Sequence, residues 1–298
     1  MFYAVAPFRS SIKGVFGKVE ARRSATDLPA MRTIPVEELL LPIQSLVGLH
    51  EVKSFVEELS AFYTISEWRK RYHLRADLPM HHMVFHGPPG TGKTTVARML
   101  GEVFRALGML PVGHVLEVER ADLVGEYIGH TAQKTRSAIE KAKGGILFID
   151  EAYALARGGD NDFGREAIDT LVKGMEDYKR ELVVILAGYQ MEMLYFLSLH
   201  PGLSSRFPVQ IEFPPFRESE LLEIALQMAR DKDYRLSPDG LQALRVLLRE
   251  QMRSSDFGNG RAVRNLLEKA IRRQAQRIVL ENSFDRERLI TLKAADFY

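Results

Sequence analysis

The stretch GPPGTGKT, at residues 87–94, decides the fold of this chain. It matches the pattern G-x-x-x-x-G-K-[ST], whose glycines let successive backbone N–H groups turn inward around an anion. The apolar stretch HHMVFHG (residues 81–87) precedes it and is typical of a strand, and a helical pattern follows over residues 93–107. Such a helix also places its positive N-terminus against the anion. The stretch therefore predicts a phosphate-binding loop, the P-loop, in an α/β protein with a parallel sheet.

The P-loop residues have distinct expected roles. Lys93 is expected to reach the β- and γ-phosphates of ATP, and the Thr94 hydroxyl is expected to bind Mg²⁺. A chance glycine-rich turn is the competing interpretation, but the strand before the loop and the helix after it argue against one. The predicted nucleotide contacts in this stretch are Gly87, Pro88, Pro89, Gly90, Thr91, Gly92, Lys93, Thr94 and Thr95.

A pair of acidic residues follows a second apolar run, GILFID (residues 145–150). The run has the length and composition of a parallel strand buried on both faces. Ligands of parallel sheets bind at the carboxyl ends of the strands. Asp150 is therefore expected to hold Mg²⁺ through water, and Glu151 to polarise the attacking water. An aspartate that only caps the next turn is the competing interpretation. Beside a P-loop, the pair predicts ATP hydrolysis.

The chain divides into three predicted parts. Residues 1–42 mix polar and charged residues with little periodicity and form an N-terminal extension. Residues 43–216 alternate strand and helix patterns, which predicts a parallel α/β domain. Residues 217–298 carry amphipathic helical patterns, including a helix start at Ser237 and Pro238, and predict a small all-α lid domain.

Composition excludes several classes of protein. Hydrophobic residues make up 46% and charged residues 27% of the 298 residues, as in a globular protein. The absence of cysteine excludes disulfides and thiolate metal sites and fits a cytoplasmic location. A net charge of +2 gives no basic footprint for nucleic acid, and no apolar run reaches the length of a membrane span. Neither a membrane nor a nucleic acid is expected as a partner.

Taken together, these motifs resemble the AAA+ ATPases. The resemblance covers about residues 43–280, and LVGL (residues 46–49) is similar to the adenine-contacting loop of that family, with Val47, Gly48 and Leu49 as the matching residues. The stretches VERADLVGEYIGHTAQKT and GGILFIDEAYALARGG resemble the clade that holds stage V sporulation protein K and the red-type Rubisco activases. ALARGGDNDFG is closer to the sporulation type.

The resemblance implies roles for two arginines. Arg206, in LSSRFP, matches the arginine finger that points at the nucleotide of a neighbouring subunit, and Arg261, in GNGRAVRN, matches the sensor arginine of the lid. A cation in the first turn of a helix opposes the helix dipole, which makes sense where a phosphate lies opposite. An arginine that caps a turn, or a solvated helix start, is the competing interpretation. Tyr189 follows a strand where many AAA+ proteins carry a polar asparagine, and it is left out of the predicted catalytic set.

The loop EYIGH indicates what hydrolysis moves. In the family, this position lines the pore of a hexameric ring and contacts polypeptide; Tyr127, Ile128 and Gly129 are the matching residues. The resemblance implies a homo-oligomeric motor that threads or remodels a protein client of unknown identity. Packing of Tyr127 and Ile128 on the sheet is the competing interpretation. A Rubisco-activase-like remodeller and a non-threading ATP-dependent switch or scaffold stay open as alternative functions.

Overall fold

The computed structural model describes residues 36–76, 82–127, 129–157, 163–199, 201–254 and 256–298. The predicted extension therefore lies outside the described residues up to residue 35. Its last residues belong to a helix, α1 (Val36–Gln44), which crosses the predicted boundary at residue 42. Leu40 and Ile43 of this helix are buried in the main hydrophobic core.

The remaining elements are as follows: α2 (His50–Arg71), β1 (Met83–His86), α3 (Lys93–Ala106), β2 (Val115–Val118), α4 (Arg120–Leu123), α5 (His130–Ala142), β3 (Ile146–Ile149), a 3-10 helix (Ala152–Ala156), α6 (Gly164–Asp177), β4 (Val183–Gly188), α7 (Gln190–Leu199), α8 (Pro201–Ser204), β5 (Val209–Glu212), α9 (Glu218–Arg230), β6 (Arg235–Leu236), α10 (Pro238–Gln251), α11 (Gly260–Glu281), α12 (Arg286–Ile290), β7 (Thr291–Leu292) and α13 (Ala294–Phe297).

The main sheet has the strand order β2-β3-β4-β1-β5, and every pairing in it is parallel. The central strands β1, β3 and β4 are buried along their whole length, as their continuous apolar runs predict. The register sets His86 beside Gly188 on one side and Glu212 on the other. The loops that leave β1, β3 and β4 therefore emerge at the same edge of the sheet. The predicted parallel α/β fold with a helical lid is confirmed.

The edge strand β5 is a strand of the main sheet that the sequence pattern did not predict. Its four residues alternate, and only Ile211 among them is fully buried. Prolines flank it at Pro208 and at residues 214–215. A short strand at a sheet edge lacks the continuous apolar run of its buried neighbours, so its pairing with β1 depends on residues far away in sequence.

Helix α2 buries less of its apolar face than its periodicity indicates. Val56 and Leu59 are buried, but Phe62 is 48% and Ile65 is 59% exposed. The helix has 22 residues and is about 33 Å long, whereas a four-residue strand spans about 13 Å. The first half of α2 therefore carries its buried apolar side chains, whereas two apolar side chains of the second half face solvent.

The lid is helical, as predicted, with one addition. β6 and β7 form a two-stranded parallel pair in which Arg235 lies beside Thr291. A single hydrophobic cluster joins the ATPase domain to the lid, because it includes Leu49 and Val96 as well as Leu221, Leu244 and Val263. The lid therefore packs on the ATPase domain through a continuous core.

A buried ion pair fixes the end of the lid. Arg277 on α11 donates from Nε to Asp296 Oδ1 at 2.7 Å and from Nη2 to Asp296 Oδ2 at 3.0 Å. Asp296 is 1% exposed and also accepts from the Lys293 backbone. The paired Asp296 holds the pKa of Arg277 above its ordinary value through the hydrogen bond between them.

Asp296→Ala is expected to lower the free energy of unfolding of the lid by about 3 kcal/mol, because it leaves the Arg277 charge without its buried partner. Urea unfolding monitored by circular dichroism measures the change. Glu67→Ala is the matched control, since Glu67 pairs with Lys70 on the exposed surface of α2 and such pairs contribute less than about 1 kcal/mol. Equal effects of the two substitutions would contradict a stabilising role of the buried pair.

Candidate nucleotide site

A cavity of about 610 Å³ lies between the carboxyl edge of the main sheet and the lid. Its size is that of a site for a small organic molecule or nucleotide. Gly48 and Pro88 do not line it. The predicted site residues that do line it are Val47, Leu49, Gly87, Pro89, Gly90, Thr91, Gly92, Lys93, Thr94, Thr95, Asp150, Glu151 and Arg261.

The P-loop has the backbone that an anion cradle requires. Gly90 and Gly92 have φ values of 73° and 98°, which side chains with a Cβ rarely adopt. The Thr91 hydroxyl donates to the Pro88 carbonyl at 2.9 Å and closes the loop on itself. Gly92 caps α3 with no side-chain hydrogen bond, so the first N–H groups of α3 are left for a ligand.

Lys93 lies among the charges of this cavity. Its Nζ donates to the carbonyls of Gly87 and Pro88 at 2.8 and 2.9 Å. Burial lowers the pKa of Lys93, and the Arg261 charge lowers it further, whereas the carboxylates of Asp150 and Glu151 raise it. The P-loop lysine, the acidic pair and the lid arginine therefore act on one another electrostatically in the same cavity.

The acidic pair follows β3 directly. Asp150 Oδ1 accepts from the Glu151 backbone N–H at 3.0 Å, which orients the Asp150 carboxylate. Glu151 has a φ of 47° and a ψ of 44°, a left-handed conformation that costs about 1–2 kcal/mol for a residue other than glycine. Such strain persists where the surrounding fold imposes it, often at functional sites. The Thr94 hydroxyl and the Asp150 carboxylate are the hard oxygen ligands that Mg²⁺ prefers.

Tyr189, which the predicted catalytic set leaves out, lines the same cavity. Its ring lies 6.2 Å from that of Tyr153, in the 3-10 helix after the acidic pair. Burial, with the nearby Glu151 carboxylate, raises the pKa of Tyr153 to about 12. Tyr189 thus forms part of the cavity wall on the β4 side, beside the residues that follow Glu151.

The lid contributes residues that the motif did not indicate. Besides Arg261, the cavity is lined by Arg264 one turn later on α11 and by Gln227 and Met228 on α9. Asn259 lies next to the P-loop and donates from Nδ2 to the Pro89 carbonyl at 3.1 Å. The amphipathic pattern of α9 and α11 indicates which face of each helix is apolar. It does not indicate which residues of the polar face lie near the P-loop.

Arg206 does not line the cavity of its own chain. Its Nε donates to Glu176 Oε1 at 3.0 Å, and its Nη1 donates to the Gly202 carbonyl at 2.7 Å. The buried side chains of Leu203 and Phe207 fix the backbone on either side of it. The guanidinium is therefore held in place outside the nucleotide cavity.

The loop between α4 and α5 presents an aromatic side chain to solvent. Tyr127 is 66% exposed, and its ring meets the His130 ring edge-on at a centroid distance of 5.5 Å. Gly129 has a φ of 83° and open space around it, which suits a loop that changes shape. The Tyr127 side chain is not packed on the sheet. The predicted contact at Ile128 lies outside the described residues.

Fold and cavity together define the class of this protein. Residues 83–215 match the ATPase family associated with various cellular activities (AAA), and residues 217–298 match the AAA lid domain. The chain therefore belongs to the AAA ATPases, whose ATPase domain binds nucleotide and hydrolyses ATP.

Comparison with individual relatives narrows the AAA family to one clade. Stage V sporulation protein K of Bacillus subtilis (strain 168) is 49% identical over 264 residues, which are 88% of this chain and 82% of that protein. The chloroplastic ribulose bisphosphate carboxylase/oxygenase activase of Cyanidioschyzon merolae is 44% identical over 260 residues, 85% of each chain. Protein CfxQ of Xanthobacter flavus is 41% identical over 281 residues, 93% of this chain and 89% of that protein. The predicted membership of this clade is confirmed.

Within the described part of the chain, no helix is both long enough and apolar enough to cross a membrane.

Proposed function

We propose that this chain hydrolyses MgATP in a homo-oligomeric, hexameric ring and uses hydrolysis to remodel a protein partner. The proposal is supported by the placement of the predicted site residues, since one of them lies apart from the others. Lys93, the acidic pair and Arg261 line one cavity, whereas Arg206 lies outside it and is bound to Glu176. A finger arginine in that position can complete the site of a neighbouring copy, and a heterologous contact of this kind forms a ring when the rotation between copies closes.

Each residue of the cavity has a proposed part in the reaction. Lys93 and the N–H groups of the P-loop hold the phosphates, and Thr94 and Asp150 hold Mg²⁺, which neutralises charge on the transferred phosphoryl group. Glu151 orients the attacking water and accepts its proton. Arg261 brings the lid onto the phosphates. Val47 and Leu49, which line the cavity on either side of Gly48, contact the adenine.

Hydrolysis then moves the loop that carries Tyr127. An exposed aromatic side chain can grip an extended polypeptide through apolar contact, without a preference for one sequence. Several copies of the loop around one pore would pull on the same client. A non-threading switch, in which ATP only controls assembly, uses the same cavity but has no need of Tyr127.

Tyr127→Ala is expected to lower client remodelling at least tenfold and to change the ATPase rate less than about threefold, because Tyr127 is outside the nucleotide cavity. Loss of protease resistance of the purified client, in the presence of ATP, measures remodelling. Tyr72→Ala is the matched control, since Tyr72 is 70% exposed directly after α2. Unchanged remodelling by the Tyr127 variant would favour the switch over the motor.

The names of two relatives suggest two candidate clients. The relative at 49% identity is named for sporulation, and that identity favours a sporulation client. A relative at 44% identity is named as an activase of ribulose bisphosphate carboxylase/oxygenase, which makes this enzyme the second candidate client. A Glu151→Gln variant in MgATP should hold its client long enough for purification. Recovery of the large subunit of ribulose bisphosphate carboxylase/oxygenase would favour the activase type, and recovery of spore-coat or cortex proteins the sporulation type.

A further inference from the structure

Asn259 lies where three segments of the chain meet. It directly precedes α11, and its side chain contacts both the P-loop and the segment that joins the ATPase domain to the lid. Its Nδ2 donates to the Pro89 carbonyl at 3.1 Å and to the Phe257 carbonyl at 3.4 Å. Its Oδ1 accepts from the Phe216 backbone N–H at 3.1 Å. One amide group therefore joins the phosphate cradle, the hinge and the lid.

The site is built for this side chain. Asn259 is 1% exposed, and its amide satisfies a backbone N–H and two carbonyls in the interior. Its φ of 46° and ψ of −121° lie outside the left-handed helical region and are rare for any residue other than glycine. A buried side chain with complete hydrogen bonding in a strained backbone fixes one arrangement of its neighbours.

A backbone hydrogen bond next to Asn259 also joins the lid to the P-loop. The Gly260 backbone N–H donates to the Gly90 carbonyl at 3.0 Å. A Cβ on Gly90 would stand 2.0 Å from the Gly258 carbonyl oxygen, so lid and P-loop backbones touch here without any side chain between them. The lid therefore contacts two successive carbonyls of the P-loop, those of Pro89 and Gly90.

The N–H groups of the same two peptide units belong to residues that line the nucleotide cavity. A trans peptide unit points its C=O and its N–H in opposite directions, and the described chain contains no cis peptide bond. The N–H partners of the Pro89 and Gly90 carbonyls belong to Gly90 and Thr91, and both of these residues line the cavity. A hydrogen bond accepted by a C=O polarises the peptide unit and strengthens its N–H as a donor, in chains of hydrogen bonds by about 10–30% per bond.

We propose that Asn259 is a positioning residue that couples the lid to the phosphate cradle. It holds the P-loop peptide units from the lid side while phosphate oxygens bind their N–H groups from the cavity side. Phosphate binding and the lid position that presents Arg261 therefore stabilise each other, and by linkage each strengthens the other by the same factor. The proposal rests on the proposed nucleotide site.

Asn259→Gly and Asn259→Asp separate coupling from folding. Glycine accepts the φ of 46° and removes all contacts of the amide. Aspartate keeps an oxygen for the Phe216 N–H, but it loses the donor to Pro89 and Phe257 and sets a carboxylate oxygen against their carbonyls. The control is Asn282→Gly, because Asn282 is an exposed asparagine that also has a positive φ, in the left-handed helical conformation at the other end of the same helix, and it does not line the cavity.

The experiment uses the full chain, with MgADP as the probe. Calorimetry is expected to give a dissociation constant about tenfold higher for both Asn259 variants than for the wild type, and less than twofold higher for Asn282→Gly. At saturating MgADP, hydrogen exchange in the wild type should slow both in the P-loop and in the first turn of α11. In the Asn259 variants it should slow in the P-loop alone.

The outcomes separate two failures. A wild-type chain that binds no MgADP would overturn the proposed function itself. A wild type that binds MgADP, with Asn259 variants that match it in affinity and in protection of α11, would overturn the coupling alone. Equal loss of protection everywhere, in the absence of MgADP as well, would show a merely structural asparagine and would also overturn it.

Discussion

Glu151→Gln is expected to lower the kcat of ATP hydrolysis by about 10³-fold and to leave MgATP binding within a few-fold of the wild type. Glutamine has nearly the same shape as glutamate, but it cannot accept the proton of the attacking water. Glu151 lines the cavity at the end of β3, and phosphate and metal are proposed to bind to the P-loop and Asp150 rather than to Glu151. Steady-state phosphate release and calorimetric titration with MgATP measure the two effects.

Glu192→Gln is the control for this substitution. Glu192 is an exposed acid in the first turn of α7 and does not line the cavity. Its replacement removes the same charge and should leave kcat within twofold. A Glu151 variant that still hydrolyses ATP at close to the wild-type rate would remove Glu151 from the mechanism, and another base would have to be found among the cavity residues.

Arg206→Ala is expected to lower kcat by about 10³-fold in a homogeneous preparation, the order of magnitude lost without an arginine finger. The substitution touches nothing in the cavity of its own chain, since the Arg206 guanidinium is bound to Glu176 and to the Gly202 carbonyl. The loss of kcat is therefore expected only in assembled rings, where Arg206 of one copy reaches the cavity of the next. Arg180→Ala, an exposed arginine in the turn before β4, is the matched control for the lost charge. A wild-type monomer that hydrolyses ATP as fast as the assembled protein would contradict the role of Arg206.

Local motifs made the P-loop predictable. In GPPGTGKT, the residues that are proposed to bind phosphate are neighbours in sequence, so the motif alone indicates that they form one loop. Asp150 and Glu151 were found in the same way, because a buried strand is visible as a continuous apolar run and its end is where ligands bind. The cavity gathers both motifs, together with Arg261 of the lid.

Long-range contacts were not predictable in the same way. Asn259 meets Pro89 across a separation of 170 residues, and nothing near either residue indicates the hydrogen bond between them. Strand β5 depends on pairing with β1, and its alternating residues resemble a loop between prolines. Phe62 and Ile65 continue the apolar periodicity of α2, but both are exposed, and periodicity alone does not show how far the core extends along a helix. The domain boundaries at residues 42 and 216, and the roles of the site residues, stay predictions.

The central claim is that ATP is hydrolysed at a site completed by a neighbouring copy, and a mixing experiment measures this most directly. Glu151→Gln copies supply Arg206 but cannot hydrolyse ATP; Arg206→Ala copies retain Glu151 but supply no finger. Each alone should be inactive. An equal mixture, dissociated and reassembled, should recover roughly a quarter of the wild-type ATPase rate, because about one interface in four then joins an intact Glu151 to an intact Arg206. A mixture as inactive as its two components would contradict the shared site.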